Sequence, residues 1–243
     1  MRNLIKTTMA LLFLTMPALA NDIYITQIGD DLDLDIVQDG QNNVIGTSNT
    51  GVTLTGDAMT FSITQTGNTN SIAAIIKGVN YTGTWAFTGN SNTVDLKCSS
   101  ASTGNCDDVT LNITTTGDTN DYKVYIGENN DAEDLIAAFS VTGDGNEFDV
   151  DVDGKAANLT VTVNNSSSQS TTEAATTNAT AAAGGNAVEI DMTGDGDSAG
   201  HTVDLTITGG GTAVEIDQSG IYDNTVDLTL TGDDGDVNIT QSD

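Results

Sequence analysis

The sequence predicts an all-β protein, a β-solenoid of stacked strand-turn-strand rungs. The first observation behind this prediction is a motif, an apolar residue four positions before a glycine, as in Ile63 to Gly67. Alternating apolar and polar residues lead into that glycine, which is the pattern of one strand followed by one turn. The motif recurs at Ile25, Ile36, Val52, Trp85, Ile113, Phe139, Val150, Ile190, Leu205, Ile216 and Leu228.

Spacing and composition are the other two observations. The step along the chain from Gly67 to Gly89 is twice the step from Gly56 to Gly67. The shorter step makes one strand and one turn, so we expect about 22 residues per rung, with neighbouring rungs ~4.8 Å apart. The chain of 243 residues has 26 glycines, one proline and 5% aromatic residues. This composition favours short strands and tight turns over helices.

The first twenty residues have the pattern of a signal peptide. Arg2 and Lys6 precede an apolar run, residues 9–16, and Ala18 and Ala20 form a small-x-small cleavage site. The run is shorter than the ~20 residues that a membrane-spanning helix needs. We therefore expect residues 1–20 to be removed and residues 21–243 to form the solenoid, with no transmembrane segment. The expected location is extracellular or at the cell surface, reached through the periplasm.

The first strands after this segment have one apolar and one acidic face. Leu32, Leu34 and Ile36 alternate with aspartates at positions 31, 33 and 35, as in a strand with one buried side. Similar alternation resumes after later turns. The turns themselves often read Gly-x-x-Asn, and we expect both residue types to supply positive φ where the chain reverses. The predicted turn glycines are Gly29, Gly40, Gly67, Gly89, Gly117, Gly143 and Gly220, and the asparagines include Asn43, Asn70, Asn92, Asn120 and Asn146.

Two interruptions break the repeat, and we interpret both as loop insertions. The first, near residues 97–107, lies between Cys98 and Cys106. In a secreted chain this pair predicts a disulfide, with two free thiols or half a metal site as the alternatives. The second, near residues 164–186, is a run of Ser, Thr, Ala and Asn without periodicity. The repeat resumes at Val188, which favours a surface loop over a linker between domains.

Four repeats share the more specific motif Ile-x-Gln-x-Gly, and two of them extend to Gln-x-Gly-x-x-Asn. In the middle of the chain the glutamine position is occupied by Phe87, Thr115, Val141 and Met192. The motif resembles the curlin repeat of curli subunits, the secreted proteins that build bacterial surface amyloid fibres. The resemblance implies side-chain ladders made by Gln27, Gln38, Asn43, Gln65, Asn70, Gln218 and Gln241. It also implies head-to-tail polymerisation, a curli-type export and nucleation system, and a role in adhesion or biofilm matrix.

Matching edge strands favour self-association independently of the resemblance. The first predicted strand contains Ile25-Thr26-Gln27 and the last contains Ile239-Thr240-Gln241. Neither has the proline or lysine that commonly blocks edge pairing. Edges of matching pattern favour a head-to-tail contact that does not close and therefore makes a filament. The alternative is a monomeric acidic solenoid that binds a surface, ice or calcium.

The acidic composition bears on each of these alternatives. The net charge of -29 argues against nucleic acid as a partner, because phosphate binding needs clustered Lys and Arg. The segment from Asp149 to Gly154 matches the opening of an EF-hand loop, but Thr160 stands where the closing Glu is required. Its apolar alternation indicates a strand. Weak calcium bridging between rungs stays open as an alternative, and no other cofactor is expected.

Threonine pairs give a further alternative, and no pattern indicates an enzyme. A flat ladder of threonines is suited to a regular lattice such as ice, although threonine is also a common exposed strand residue. The chain has one histidine, His201, which we expect to be a turn residue. No carboxylate pair is arranged as separate acid and base. The Thr-x-Thr pairs are Thr53/Thr55, Thr114/Thr116, Thr160/Thr162, Thr206/Thr208 and Thr229/Thr231.

Overall fold

The computed structural model describes most of the chain after the predicted signal peptide. In the residues that it describes, the chain forms twenty β-strands and no α-helix. Residues 1–21, 99–105 and 165–185 lie outside the description, so the signal peptide and most of both predicted insertions are outside it as well. The described residues are 22–46, 51–98, 106–127, 132–133, 135–143, 145–155, 157–164, 186–193, 201–220, 224–232 and 235–242.

The strands form two sheets, and the chain alternates between them. The long sheet has twelve strands and the short sheet has eight, in the order β19-β17-β15-β13-β10-β8-β6-β3. The strands are β1 Asp22–Ile23, β2 Thr26–Ile28, β3 Asp33–Asp39, β4 Asn42–Ile45, β5 Val52–Thr55, β6 Met59–Thr66, β7 Thr69–Lys77, β8 Tyr81–Thr88, β9 Ser91–Cys98, β10 Thr110–Thr116, β11 Asn120–Ile126, β12 Ala132–Glu133, β13 Ile136–Thr142, β14 Glu147–Lys155, β15 Asn158–Asn164, β16 Ala187–Thr193, β17 Thr202–Thr208, β18 Ala213–Ser219, β19 Thr225–Thr231 and β20 Asp236–Ser242.

Parallel pairing stacks each strand on the one a full rung earlier. The path of the long sheet is β1-β4-β7-β9-β11-β14-β16-β18-β20. We call each position in this stack of strands a level, so the long sheet has nine levels. Two short strands share the first level, β1 and β2, and two share the second, β4 and β5. The short sheet has eight levels. The prediction of a β-solenoid is therefore confirmed.

The rung length varies while the register is kept. Asn70 and Asn92 occupy equivalent positions 22 residues apart, as the spacing predicts. Other neighbouring rungs are separated by 27 residues, as at Asn43 and Asn70, or by 40 residues, as at Asn146 and Asn186. The additional residues lie between strands, so the ladder of backbone hydrogen bonds is not interrupted.

One continuous core fills the space between the sheets. Alternate residues of each strand point inward, and a single apolar cluster extends along the solenoid from Ile36 to Ile216. The middle rungs hold the largest side chains, including Trp85, whose Nε1 donates to the carbonyl of Phe61 at 3.1 Å. Tyr122 stacks on Phe148 with ring centroids 4.5 Å apart. Because each rung buries little alone, this stacking is what stabilises the fold.

Candidate functional site

A ladder of buried asparagine side chains runs along one corner of the solenoid. Each Nδ2 donates to the Oδ1 of the asparagine one rung further on, for example from Asn92 to Asn120 at 2.7 Å and from Asn120 to Asn146 at 2.6 Å. The ladder ends with a bond from Asn186 Nδ2 to Thr212 Oγ1 at 3.3 Å. Its members are Asn43, Asn70, Asn92, Asn120, Asn146 and Asn186. The structure thus brings together Asn43 and Asn70, as expected, and extends the ladder by four residues.

The role expected for these asparagines in the turns is wrong. Among the described residues, positive φ at non-glycine positions occurs at Asp31, Ala58, Asn80, Asp108 and Thr119, and not at the ladder asparagines. The asparagines contribute through the hydrogen bonds of their side-chain amides. Besides the ladder bond, the amide donates to a backbone carbonyl at the corner, as Asn120 does to Gly117 at 2.7 Å. In sequence they share the pattern Asn-x-apolar, at Asn70, Asn92, Asn120, Asn146 and Asn186, but Asn224 has it too and lies outside the ladder.

The turn glycines are required mainly by close stacking. Gly29, Gly117 and Gly143 have positive φ as expected, whereas Gly40, Gly67, Gly89 and Gly220 do not. At Gly67 and Gly89 a Cβ would lie 2.4 Å and 2.2 Å from the carbonyl oxygen of the glycine one rung below. At these two corners glycine is needed because the backbones approach too closely for any side chain.

The glutamines form two separate pairs rather than one ladder. In the short sheet, Gln65 Nε2 donates to Gln38 Oε1 at 2.6 Å. In the long sheet, Gln241 Nε2 donates to Gln218 Oε1 at 2.9 Å. Gln27 is paired in register with Leu54, and its amide bonds the carbonyl of Gly29 at 3.3 Å. The expected glutamine ladder is therefore present near each end, and Gln27 stands outside it.

Other residues, all apolar except Thr115, take the glutamine position in the middle rungs. Residues paired in register along a sheet form a column, and Gln38 and Gln65 continue into Phe87, Thr115 and Val141. The equivalent column of the long sheet begins at Gln27 and finishes at Gln218 and Gln241. Between these it runs through Leu54, Ile76, Cys98, Ile126, Val152 and Met192.

The edge at β20 leaves core positions open. Val237 and Ile239 lie in the inward columns of Val214 and Ile216, yet they are 38% and 39% exposed. At the opposite edge, Ile23, Ile25, Leu32 and Leu34 are only partly buried against the core. Among the described residues, each sheet has an open edge at both ends: β3 and β19 in the short sheet, and β20 and the first level, β1 with β2, in the long sheet.

Cys98 and Cys106 are joined by a disulfide, with their Cα atoms 5.8 Å apart. Both residues are buried. Cys98 ends β9, so the bond ties residue 106 to the end of a core strand across the first interruption. This arrangement is the one that the sequence favours over free thiols or half a metal site.

Carboxylates line the outer face of the long sheet. Asp149, Glu189 and Glu215 form one column, and Asp151, Asp191 and Asp217 form the next. Burial and then the neighbouring carboxylate of Asp217 raise the pKa of both Asp191 and Glu215. Residues 149–154 lie within β14, so the strand interpretation of the EF-hand-like segment is correct.

No metal site is evident in the part of the chain that the structure describes. Within it, no group of three or more His, Cys, Asp or Glu side chains is arranged to hold a metal ion. His201 is fully buried, and its Nδ1 accepts a hydrogen bond from the backbone N–H of Ala157 at 3.4 Å. Calcium bridging between rungs stays a prediction.

Comparisons with known proteins do not assign the chain to a family. No family model matches it, and no curated protein or solved structure shows significant similarity to it. Among the described residues, no helix has the length and apolar character to cross a membrane. The repeat geometry is therefore the basis on which a function is proposed.

Proposed function

We propose that the protein is a secreted structural subunit that stacks end to end into extracellular fibres, as curlin-repeat proteins do, and serves adhesion or a biofilm matrix. A curli-type export and nucleation system belongs to the same proposal. The observation that carries it is a match between the two ends of the solenoid. It appears when one copy is turned by half a revolution about the solenoid axis.

The need for the half-turn follows from the number of levels. The long sheet has nine levels and the short sheet eight. The coil therefore begins and ends with a strand of the long sheet, and the next strand of the coil would belong to the short sheet. A second copy stacked without rotation would leave one level of the short sheet empty at the junction. A copy rotated by a half-turn places its β1 and β2 on β19, and its β3 on β20. The coil then continues without a gap.

The inward positions of the two sheets correspond under this rotation, because each half-rung, one strand and one turn, repeats the same spacing from strand to glycine. Gly67, Gly78 and Gly89 mark successive corners at equal intervals of half a rung. The column of Gln38 in the short sheet therefore corresponds to the column of Gln241 in the long sheet. Across the junction, the inward residues of β20 meet those of β3 in the next copy. The meeting pairs are Val237 with Leu34, Ile239 with Ile36, and Gln241 with Gln38.

This register joins the two glutamine pairs into one ladder of four. Gln65 donates toward Gln38, and Gln241 donates toward Gln218, so the two pairs have the same polarity. Gln38 of the next copy is then placed to donate to Gln241 Oε1. Buried amide ladders that continue between chains are a stabilising feature of stacked β-assemblies. Glutamine is thus kept at the positions that meet at the junction.

The second contact of the junction is mainly apolar. The inward residues Val226, Leu228 and Leu230 of β19 meet Ile23, Ile25 and Gln27 of the next copy's first level. Each side chain that loses water contributes roughly 25 cal/mol per Å² of apolar surface buried. The half-exposed Val237 and Ile239 gain the most, because they are the most open core positions.

Assembly is tested on the mature chain, residues 21–243, with one substitution at the junction and one away from it. We expect filaments with an axial rise of about 41 Å per copy, from 8.5 rungs spaced ~4.8 Å apart. Ile239→Lys places a charge in the junction and is expected to abolish filaments. Thr93→Lys adds the same charge on the outer face of β9 and is the matched control. A wild-type chain that stays monomeric at high concentration and salt would refute the proposal.

The half-turn is tested by disulfide trapping between copies. Gln38→Cys combined with Gln241→Cys places two thiols on neighbouring strands, ~4.8 Å apart and within the range for a disulfide. We expect oxidation to link this variant into covalent multimers. Gln27→Cys combined with Gln241→Cys is the control, since these residues meet only in a stack without rotation. If filaments are linked through the control pair instead, the proposal that copies assemble end to end would stand, but the proposed half-turn between copies would be wrong.

A further inference from the structure

One part of the outer face of the short sheet carries no charge, although Asp204 and Asp227 lie in the column beside it. Two adjacent outward columns extend over seven strands, from β6 to β19, and contain no charged residue. We call them the threonine face. One column is Thr64, Ala86, Thr114, Ser140, Thr162, Thr206 and Thr229, and the other is Thr66, Thr88, Thr116, Thr142, Asn164, Thr208 and Thr231.

The register converts an uneven sequence spacing into an even lattice. More of the chain separates Thr116 from Thr142 than separates Thr66 from Thr88, yet each pair occupies neighbouring rungs. Neighbours along a column are ~4.8 Å apart, and neighbours across the two columns are ~6.6 Å apart, from a rise of ~3.3 Å per residue. Of the Thr-x-Thr pairs that the sequence singles out, Thr114/Thr116, Thr206/Thr208 and Thr229/Thr231 lie on this face, and Thr53/Thr55 lies in β5 of the long sheet.

Most side chains of the face are exposed, and Ala86, Thr162 and Thr206 are partly buried. All seven residues of the column from Thr66 to Thr231 are exposed. Threonine is β-branched and therefore restricted at χ1, so the hydroxyl and methyl groups have few positions available to them. A partner that matches those positions is bound with little loss of side-chain entropy. The face is about 29 Å long, from six intervals of ~4.8 Å.

These properties restrict the partner to a large, neutral and regular surface. A phosphate-bearing partner is disfavoured because the face has no cation to pair with it. A small solute would contact only a few of the fourteen positions. Sugar rings stack on aromatic side chains, and none of these positions is aromatic. Ice fits the requirements, because it is an uncharged, two-dimensionally periodic surface of hydrogen-bonding groups.

We infer that the threonine face binds ice. Hydroxyl groups hydrogen-bond the surface water molecules, and the methyl groups fill the spaces between them. The absence of charge matters because an ionised side chain would hold its own hydration shell and would have to lose it on contact. Binding at this face does not depend on end-to-end stacking, since it occupies the side of the solenoid.

The test measures thermal hysteresis and partitioning of the protein into growing ice. Wild type is expected to show both. Thr116→Lys, on the third of the seven strands of the face, is expected to lose both while keeping its β-sheet circular dichroism. Thr93→Lys on the long sheet is the matched control and is expected to behave as wild type. Both lysine variants are measured at concentrations below those at which filaments form.

Three outcomes would overturn the inference. The first is a wild-type chain with neither hysteresis nor partitioning into ice. The second is an equal loss in Thr116→Lys and Thr93→Lys. The third is a lateral dimer, or binding to an insoluble polysaccharide, that Thr116→Lys removes while wild type shows no ice activity. That last result would assign the face to a second copy or to a polymer.

Discussion

At the scale of single residues, the asparagine ladder is the most demanding feature of the core. Asn120 is buried and uses both hydrogens of its amide, one to the carbonyl of Gly117 and one to Asn146, while its Oδ1 accepts from Asn92. An isolated buried amide is costly. A ladder makes it acceptable because each rung supplies the partner that its neighbour needs.

Replacement of Asn120 by Asp tests this directly. The ionised carboxylate accepts but cannot donate, so it would face the oxygens of Gly117 and Asn146 without hydrogens between them. We expect Asn120→Asp to lose about 3 kcal/mol or more of unfolding free energy at neutral pH. The loss should shrink in acid, where the protonated carboxyl can donate again. Denaturant unfolding followed by the fluorescence of the buried Trp85 measures the effect.

The control for that experiment is Asn112→Asp, at an exposed position on the outer face of β10. It introduces the same charge into the same protein outside the ladder. Its unfolding free energy should change by less than about 0.5 kcal/mol. Equal losses in the two variants would show that charge, rather than the ladder, determines the result.

At the scale of elements, the corners depend on glycine stacked on glycine. Gly117 has φ of +148°, and a Cβ there would lie 1.4 Å from the carbonyl oxygen of Gly89. The corner cannot relax without separating two rungs. Gly29 has a similar φ of +134°, but the nearest atom to its Cβ would be 3.8 Å away. The two glycines therefore differ in crowding rather than in backbone conformation.

This difference gives a paired prediction. Gly29→Ala is expected to lose about 1–2 kcal/mol of unfolding free energy, from backbone strain alone. Gly117→Ala is expected to lose more than about 3 kcal/mol, because the rungs must also move apart. Denaturant midpoints of the two variants, measured as monomers, separate the contributions. Similar losses would mean that φ, and not stacking, decides which residue the corner accepts.

Sequence alone predicts the strands well and the side-chain contacts only in part. The alternation at Leu34 and Ile36 places β3 correctly, because a two-residue period directly reports one buried face. Ladder contacts depend instead on which residues of neighbouring rungs are aligned. The alignment is hard to predict because the segments that connect the strands differ in length. Asn146 and Asn186 touch although they are 40 residues apart. Gln27 and Gln38 carry the same motif. Because the motif occurs in strands of both sheets, it does not predict which sheet a given glutamine belongs to.

At the scale of the whole molecule, like charges are stacked along the solenoid. The chain has 35 acidic and 6 basic residues, and parallel register places acidic side chains directly above one another, as at Asp191 and Asp217. Rungs ~4.8 Å apart leave little room between such charges. The same repulsion would oppose the proposed junction, in which aspartates at positions 22, 33 and 35 of one copy would approach Asp227 and Asp236 of another.

Salt should therefore stabilise both the monomer and the proposed fibre. The Debye length falls from ~10 Å at 0.1 M to ~3 Å at 1 M, which is below the spacing of the rungs. We expect sodium chloride to raise the thermal midpoint of the Ile239→Lys monomer and to shorten the lag of wild-type fibre growth. Calcium chloride at equal ionic strength separates screening from bridging, since only bound calcium shifts the midpoint further than sodium does. If neither salt changes the thermal midpoint, repulsion between rungs is already balanced by other interactions within the fold.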